Sequence, residues 1–269
     1  MSTTTLTLAV VLSLSSAMMM LGWWWQKRHD NIGIVDVLWA IGVGGAAVIA
    51  AVLGDGAIAP RVLLAVLGAA WGLRLALHLW RRVRSEPEDG RYRHLRAYWN
   101  GHQGKIFGFF LFQSGLVVLF ALPFVAVAAN LRGDAIAWWI AATLLWLASV
   151  TGEAIADRQL ARFRARAENR GKTFREGLWR YSRHPNYFFE WLHWFAYVLL
   201  AIGSPLWWLS LAGPVVMFVF LRWISGIPFT EQQALRTRGD DYRRYQRTTP
   251  MLFPWFPSDD GMTTEERPT

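Results

Sequence analysis

The chain contains no cysteine. That absence excludes disulfides, thiolate zinc sites and cysteine-ligated iron–sulfur clusters. Histidine is scarce too. The six are His29, His78, His94, His102, His184 and His193, and none forms the HxxxH or HxxHH pairs used by membrane di-iron oxygenases. A catalytic metal is therefore not expected. Ser182 lies close to His184 in sequence but in a basic loop without a nucleophile elbow, so serine–histidine–acid chemistry has no support either. Internal repeats, long low-complexity linkers and a soluble domain are lacking. The first apolar segment has no basic start and no small-residue cleavage site, which makes it an anchor and not a signal peptide.

What fills the chain is apolar. Of 269 residues 54% are hydrophobic and 17 are Trp. Seven runs approach the ~20 residues that cross a ~30 Å hydrocarbon core. They lie at roughly 4–25, 34–54, 61–80, 106–130, 135–156, 186–203 and 205–225. The expected fold is all-α: a polytopic integral membrane bundle of seven transmembrane helices. Residues 1–257 would form a single membrane domain, and 258–269 a flexible C-terminal tail.

The chain carries 28 Lys and Arg against 19 Asp and Glu, a net +9, and the placement of that charge is a topology signal. "GWWWQKR" ends the first run with an aromatic belt followed by Lys27 and Arg28. Basic residues then crowd the 81–105 loop, the 157–183 loop and the segment after the last run, whereas "GDGAIAPR", "NLRGDA" and "GSP" are short and nearly neutral. The positive-inside rule places the N-terminus outside and the C-terminus in the cytoplasm. Nucleic acid is not an expected partner.

Charges within spans are costly and usually functional. Here they are Asp36, Arg74, His78, Glu153, Asp157, Glu190, His193 and Arg222, all toward the cytoplasmic ends. A transporter would place polar groups near the midplane with paths to both sides. This pattern describes a polar basin open to the cytoplasm above an apolar floor, as suits an enzyme with a soluble cofactor and a lipid-dissolved substrate. Spacing strengthens the reading. Glu153 and Asp157 are four apart, with Arg164 seven further on, so a continued helix keeps all three on one face. Asn186, Glu190, His193 and Tyr197 form a second stripe. Interhelical hydrogen bonding is the competing, less favoured explanation of such stripes.

"IGVGGAA" at 41–47 has part of a dinucleotide fingerprint but no βαβ context, and close helix packing explains it better. The basic 157–183 segment is more informative. Asp157 with Arg164, Lys172, Arg175, Arg180 and Arg183 could hold adenosine through the carboxylate and phosphates through guanidinium forks. Pro185 then favours a helix start whose first-turn amides would provide an anion site.

Two longer patterns carry a family resemblance. "GLWRYSRHPNYFFEW" and "SGIPFTEQQALRTRGDDYRRYQRTTPMLFPWFP" resemble the bacterial DUF1295 group, within the steroid 5-alpha-reductase superfamily that also includes sterol Δ14-reductases. The likeness is densest over 150–256 and continues through "DVLW", "WGLRLALHLWRR" and "EDGRYRHLR". It implies a seven-helix membrane enzyme that binds NADPH from the cytoplasm and reduces a conjugated C=C bond. By that resemblance Glu153 and Asp157 would contact the adenosine part, followed by Arg164 and Lys172. Asn186 and Glu190 would approach the nicotinamide amide, with Arg183 in the basic turn before them. Arg91 would assist with phosphate, and Arg222, Tyr242 and Tyr245 would be further cofactor-side contacts.

The catalytic end differs from that family. Its Gln-Glu pair is absent, and His78, three residues before Arg81, occupies the place of its tyrosine. Asp36 is the early carboxylate that could replace the glutamate. The expected reaction is hydride transfer to the β-carbon of an enone in a steroid-like or other lipid-soluble molecule. His78, oriented by Asp36 or a nearby group, would donate a hydrogen bond or proton to the carbonyl oxygen near neutral pH. An S-adenosylmethionine-dependent methyltransferase of the isoprenylcysteine or phospholipid type shares the "RHPNY"-like turn and is the alternative. A membrane scaffold is a third reading, without a use for ionisable groups on three helices. A monomer in the bacterial inner membrane, with membrane lipid around it and its active site open to the cytoplasm, completes the expectation.

Overall fold

The structure is a computed structural model that describes residues 2–258. The expected C-terminal tail, apart from Ser258, lies outside the described residues. Among them the chain is all helical, without a strand. The α-helices are α1 (Thr3–His29), α2 (Ile34–Leu53), α3 (Ile58–Ser85), α4 (Gly90–Tyr98), α5 (Gln103–Ala128), α6 (Ile136–Arg164), α7 (Pro185–Leu200), α8 (Ala212–Val219), α9 (Ile227–Arg238) and α10 (Asp240–Thr248). A π-helical turn, Phe220–Ile224, joins α8 to α9.

Six helices are long and apolar enough to cross a bilayer: α1, α2, α3, α5, α6 and the helical run Trp207–Arg238. The protein is an integral membrane protein. Seven spans are expected from the sequence, and the difference lies in α7. Its 16 residues rise about 24 Å at 1.5 Å each, short of the ~30 Å core. Pro185 sets its start, and the turn after Leu200, with Gly203 at a φ of +92°, sets its end.

The chain divides into two compact units, Met1–Leu144 with Trp194–Val216 and Leu145–His193 with Met217–Thr269. In the first, α1 and α2 pack on each other and on α5, and α2 packs on α3. The α2–α3 contact is made by small residues. A Cβ added at Gly72 would sit 2.7 Å from the Gly44 Cα, and one at Gly68 would sit 2.3 Å from the Ala47 Cβ. "IGVGGAA" is thus a helix-packing surface, as expected. Trp194 anchors the aromatic core of this unit, with Trp71, Phe120 and Phe124 at centroid distances of 5.8, 4.9 and 5.9 Å. At the neutral loops, Asn130 Nδ2 donates to the Leu200 and Ile202 carbonyls at 2.8 and 3.2 Å, which satisfies helix-end acceptors that lipid cannot.

In the second unit α6 continues to Arg164, so Glu153, Asp157 and Arg164 do share one helix. It meets the start of α7 at Gly152, where an added Cβ would lie 2.5 Å from the Phe189 ring. Helices α9 and α10 follow the last apolar run and pack on each other. Both are polar, and α10 buries only Tyr242 and Tyr245 along its length.

Candidate functional site: a basic cleft and two polar networks

After Arg164 the chain leaves α6 in a tight basic loop. Asn169 Nδ2 donates to the Phe163 carbonyl at 2.8 Å, Arg170 N to Ala167 O at 3.1 Å, and Gly171 takes a φ of +80° that favours glycine. The loop is tied to α10: Thr173 N donates to Asp241 Oδ2 at 2.8 Å, and Arg175 pairs with the same carboxylate. Burial alone would raise the Asp241 carboxyl, but the Thr173 and Arg175 contacts hold it below its usual range. This folding produces a cleft of about 350 Å³ whose charged lining is Arg164, Arg166, Arg170, Lys172 and Arg238. Among the described residues no carboxylate lines it. Its volume is within the range of ligand sites. Arg164 and Lys172, both expected contacts, come together there. Arg166, Arg170 and Arg238 were not singled out by the sequence. Arg238 arrives from the end of α9, which local spacing could not reveal.

Further along α6, Glu153 is buried, and Asp157 Oδ1 accepts from Asn186 Nδ2 at 3.1 Å. The two polar stripes therefore meet, α6 against α7. The Asn186 amide oxygen is buried without a hydrogen-bond partner among the described residues. One turn on, His193 Nδ1 lies 2.6 Å from the Glu190 carbonyl and 3.7 Å from Glu190 Oε1.

The turn before α7 is held by Glu231 of α9. Its Oε1 accepts from Arg183 Nε at 2.7 Å, His184 Nε2 at 3.2 Å and the Tyr242 hydroxyl at 3.4 Å, and its Oε2 accepts from Gln246 Nε2 at 2.7 Å. Arg183 Nη1 donates to the Gln246 and Thr249 carbonyls. The Tyr245 hydroxyl donates to the Trp179 and Ser182 carbonyls. Arg183, Tyr242 and Tyr245, expected among the cofactor contacts, are thus bonded into this brace. Burial pulls the His184 imidazole below its ordinary value near 6.5, against the opposing pull of Glu231. Glu231 is absent from the residues that the sequence places at the site, because an isolated Glu in a polar segment carries no spacing signal. Arg222 lies in the π-helical turn, with its guanidinium 5.5 Å from the Trp223 ring centre.

In the first unit Asp36, at the start of α2, accepts from the Tyr92 hydroxyl at 2.5 Å and from Arg91 Nη2 at 3.3 Å. Arg91 Nε also reaches Asp89, which caps α4 and accepts from Arg82 Nη2 at 2.7 Å. Burial alone would raise Asp89; Arg91 and Arg82 bring it below the usual range. Burial, with Asp36 next, pushes the Tyr92 phenol well up. An expected catalytic group and an expected phosphate contact are here one ion pair. His78 is exposed on α3, and no hydrogen bond joins it to Asp36 among the described residues. Among those residues there is also no group of three or more His, Asp or Glu arranged to hold a metal.

A family model described as "Protein of unknown function (DUF1295)" matches residues 22–249. The chain belongs to the DUF1295 family. No curated protein and no solved structure matches it. The matched DUF1295 region contains the basic cleft, the Asp157–Asn186 pair, the Glu231 brace and the Asp36 network.

Proposed function

We propose that this protein is an NADPH-dependent membrane reductase of a conjugated C=C bond in a steroid-like or other lipid-soluble molecule. The observation that carries the reading is the cleft whose lining, among the described residues, has five cationic side chains and no carboxylate. A dinucleotide phosphate brings several negative charges, and guanidinium groups bind phosphate through paired, charge-assisted hydrogen bonds. S-adenosylmethionine has no phosphate and carries a sulfonium cation, which this lining would repel. The cleft therefore favours the reductase over the methyltransferase.

The remaining residues fit the same cofactor. Arg164, Lys172, Arg166, Arg170 and Arg238 would hold its phosphates, and Glu153 and Asp157 its adenosine ribose. The buried, unpartnered Asn186 oxygen is an acceptor for a carboxamide N–H, and Glu190 would complete that contact. Arg183, Tyr242 and Tyr245 would act by holding the loop, and Arg222 by closing the cofactor side. When bound, NADPH supplies a hydride. The protein's own part is to fix the acceptor carbon and stabilise charge developing on the carbonyl oxygen. His78 is assigned the donor at that oxygen, and Asp36, through Arg91, the electrostatic setting. In this reading α7 is the seventh crossing, its short length met by local thinning of the bilayer. The N-terminus lies outside, and the cleft opens to the cytoplasm of a bacterial inner membrane.

Titration of NADP⁺, NAD⁺ and S-adenosylmethionine onto the detergent-purified protein tests the reading. Binding of NADP⁺ that weakens in Arg164→Gln supports it. Binding of S-adenosylmethionine alone would overturn it.

A further inference from the structure

The segment after α10, "MLFPWFP", presents aromatic side chains outward. Phe253, Trp255 and Phe256 are 52, 72 and 73% exposed. A loop in water would not ordinarily expose three neighbouring large aromatics, and contiguous exposed apolar surface marks an interaction site. The segment is also held firmly. Trp255 N donates to Tyr181 O at 2.9 Å, Ser258 N to Thr248 O at 2.8 Å, and Ser182 Oγ to Leu252 O at 2.8 Å. Ordered backbone that displays aromatics outward calls for an apolar or interfacial partner.

Its neighbours say which one. The Phe253 ring packs on Phe188 and Trp191 of α7 at 6.3 and 5.4 Å, and on Phe218 of the last apolar run at 6.2 Å. Phe188 and Trp191 belong to the first turns of α7, and Phe218 lies in the bilayer-length run Trp207–Arg238, so Phe253 lies beside a membrane helix. Trp223, 58% exposed and 5.6 Å from Phe218, continues the same aromatic surface. Cations flank it: Arg222 stands by the Trp223 ring, and Arg180 by Tyr181, whose ring lies 5.8 Å from Phe256. Trp255, Trp223 and Tyr181 are the amphipathic rings that sit at headgroup level, where cations meet lipid phosphates, and Phe253 and Phe256 add apolar area that water disfavours.

We infer that Phe253–Phe256 is an interfacial anchor: a non-spanning segment that seats Phe253, Trp255 and Phe256 in the headgroup region of the bilayer. Because Trp255 N donates to the Tyr181 carbonyl, and Pro250 O just before the segment accepts from the Arg183 amide, the anchor fixes the turn before α7 at the membrane surface. The inference is independent of the cofactor reading.

The absence of cysteine makes the test direct. Phe256→Cys, and Glu168→Cys in the exposed basic loop as an aqueous reference, are each labelled with an environment-sensitive fluorophore. The proteins are then placed in nanodiscs of phosphatidylcholine and phosphatidylglycerol. The label at 256 is expected to be quenched by shallow spin-labelled lipid about threefold more than the label at 168, and to be protected from aqueous iodide. Equal iodide quenching at both positions would overturn the inference. So would protection at 256 seen only in discs holding two copies, or lost in a chain ending at Ser258, since a second copy or the chain's own last residues would then be the cover.

Discussion

At the scale of single residues, what each charge touches decides its task. Asp36 has its oxygens on Tyr92 and Arg91, so its first effect is to hold the α4 segment to α2. Tyr92→Phe removes a hydrogen bond to a charged acceptor and should cost roughly 1.5–3 kcal/mol, read as a lowered unfolding temperature in detergent. His184 gives a pH prediction. Its folded-state value is depressed by burial, so above about 6.5 it is neutral in both states and costs nothing. As pH falls below that value the unfolded chain takes up a proton that the folded one resists. Stability should therefore decline with acidification, in the window just below 6.5 and before most carboxylates titrate. His184→Gln should flatten that part of a pH–stability curve; an unchanged slope would assign it to other groups.

Between helices, packing is set by residues with little or no side chain. Gly72 and Gly44 bring α3 and α2 backbone to backbone, whereas a Cβ at Gly45 meets nothing within 4 Å. Gly72→Ala should destabilise by about 1–3 kcal/mol because backbone cannot step aside. Gly45→Ala should be neutral or mildly stabilising through helix propensity. Paired thermal unfolding curves check both. On α9, Glu231 is the common partner of Arg183, His184 and Gln246. Glu231→Ala leaves the largely buried Arg183 without its carboxylate, and loss of one partner of a buried pair typically costs about 3–5 kcal/mol. Proteolysis near 181–184 should accelerate in that variant.

Elements also differ in how far the sequence reveals them. Bilayer-length apolar runs announce α1, α2, α3, α5 and α6, because lipid demands both length and hydrophobicity. Helices α4, α9 and α10 are short and polar, and hydropathy has nothing to register in them. The stripe of Glu153, Asp157 and Arg164 was legible because α6 continues past its apolar part. Arg238 in the cleft and Glu231 beneath the turn were not, since each is brought in by tertiary packing from more than forty residues away.

For the whole molecule the central claim is that the basic cleft serves a phosphorylated dinucleotide. Within the second unit the α6 and α7 stripes meet, and the loop between those helices folds into a cation-lined space. The most direct measurement is equilibrium binding of NADP⁺ and S-adenosylmethionine to the purified protein, repeated with Arg164→Gln and Lys172→Gln. The account predicts that NADP⁺ binds, that each substitution weakens it by roughly 10- to 100-fold through loss of a charge-assisted phosphate contact, and that S-adenosylmethionine does not compete. Tight S-adenosylmethionine binding that ignores both substitutions, with no NADP⁺ binding, would contradict it.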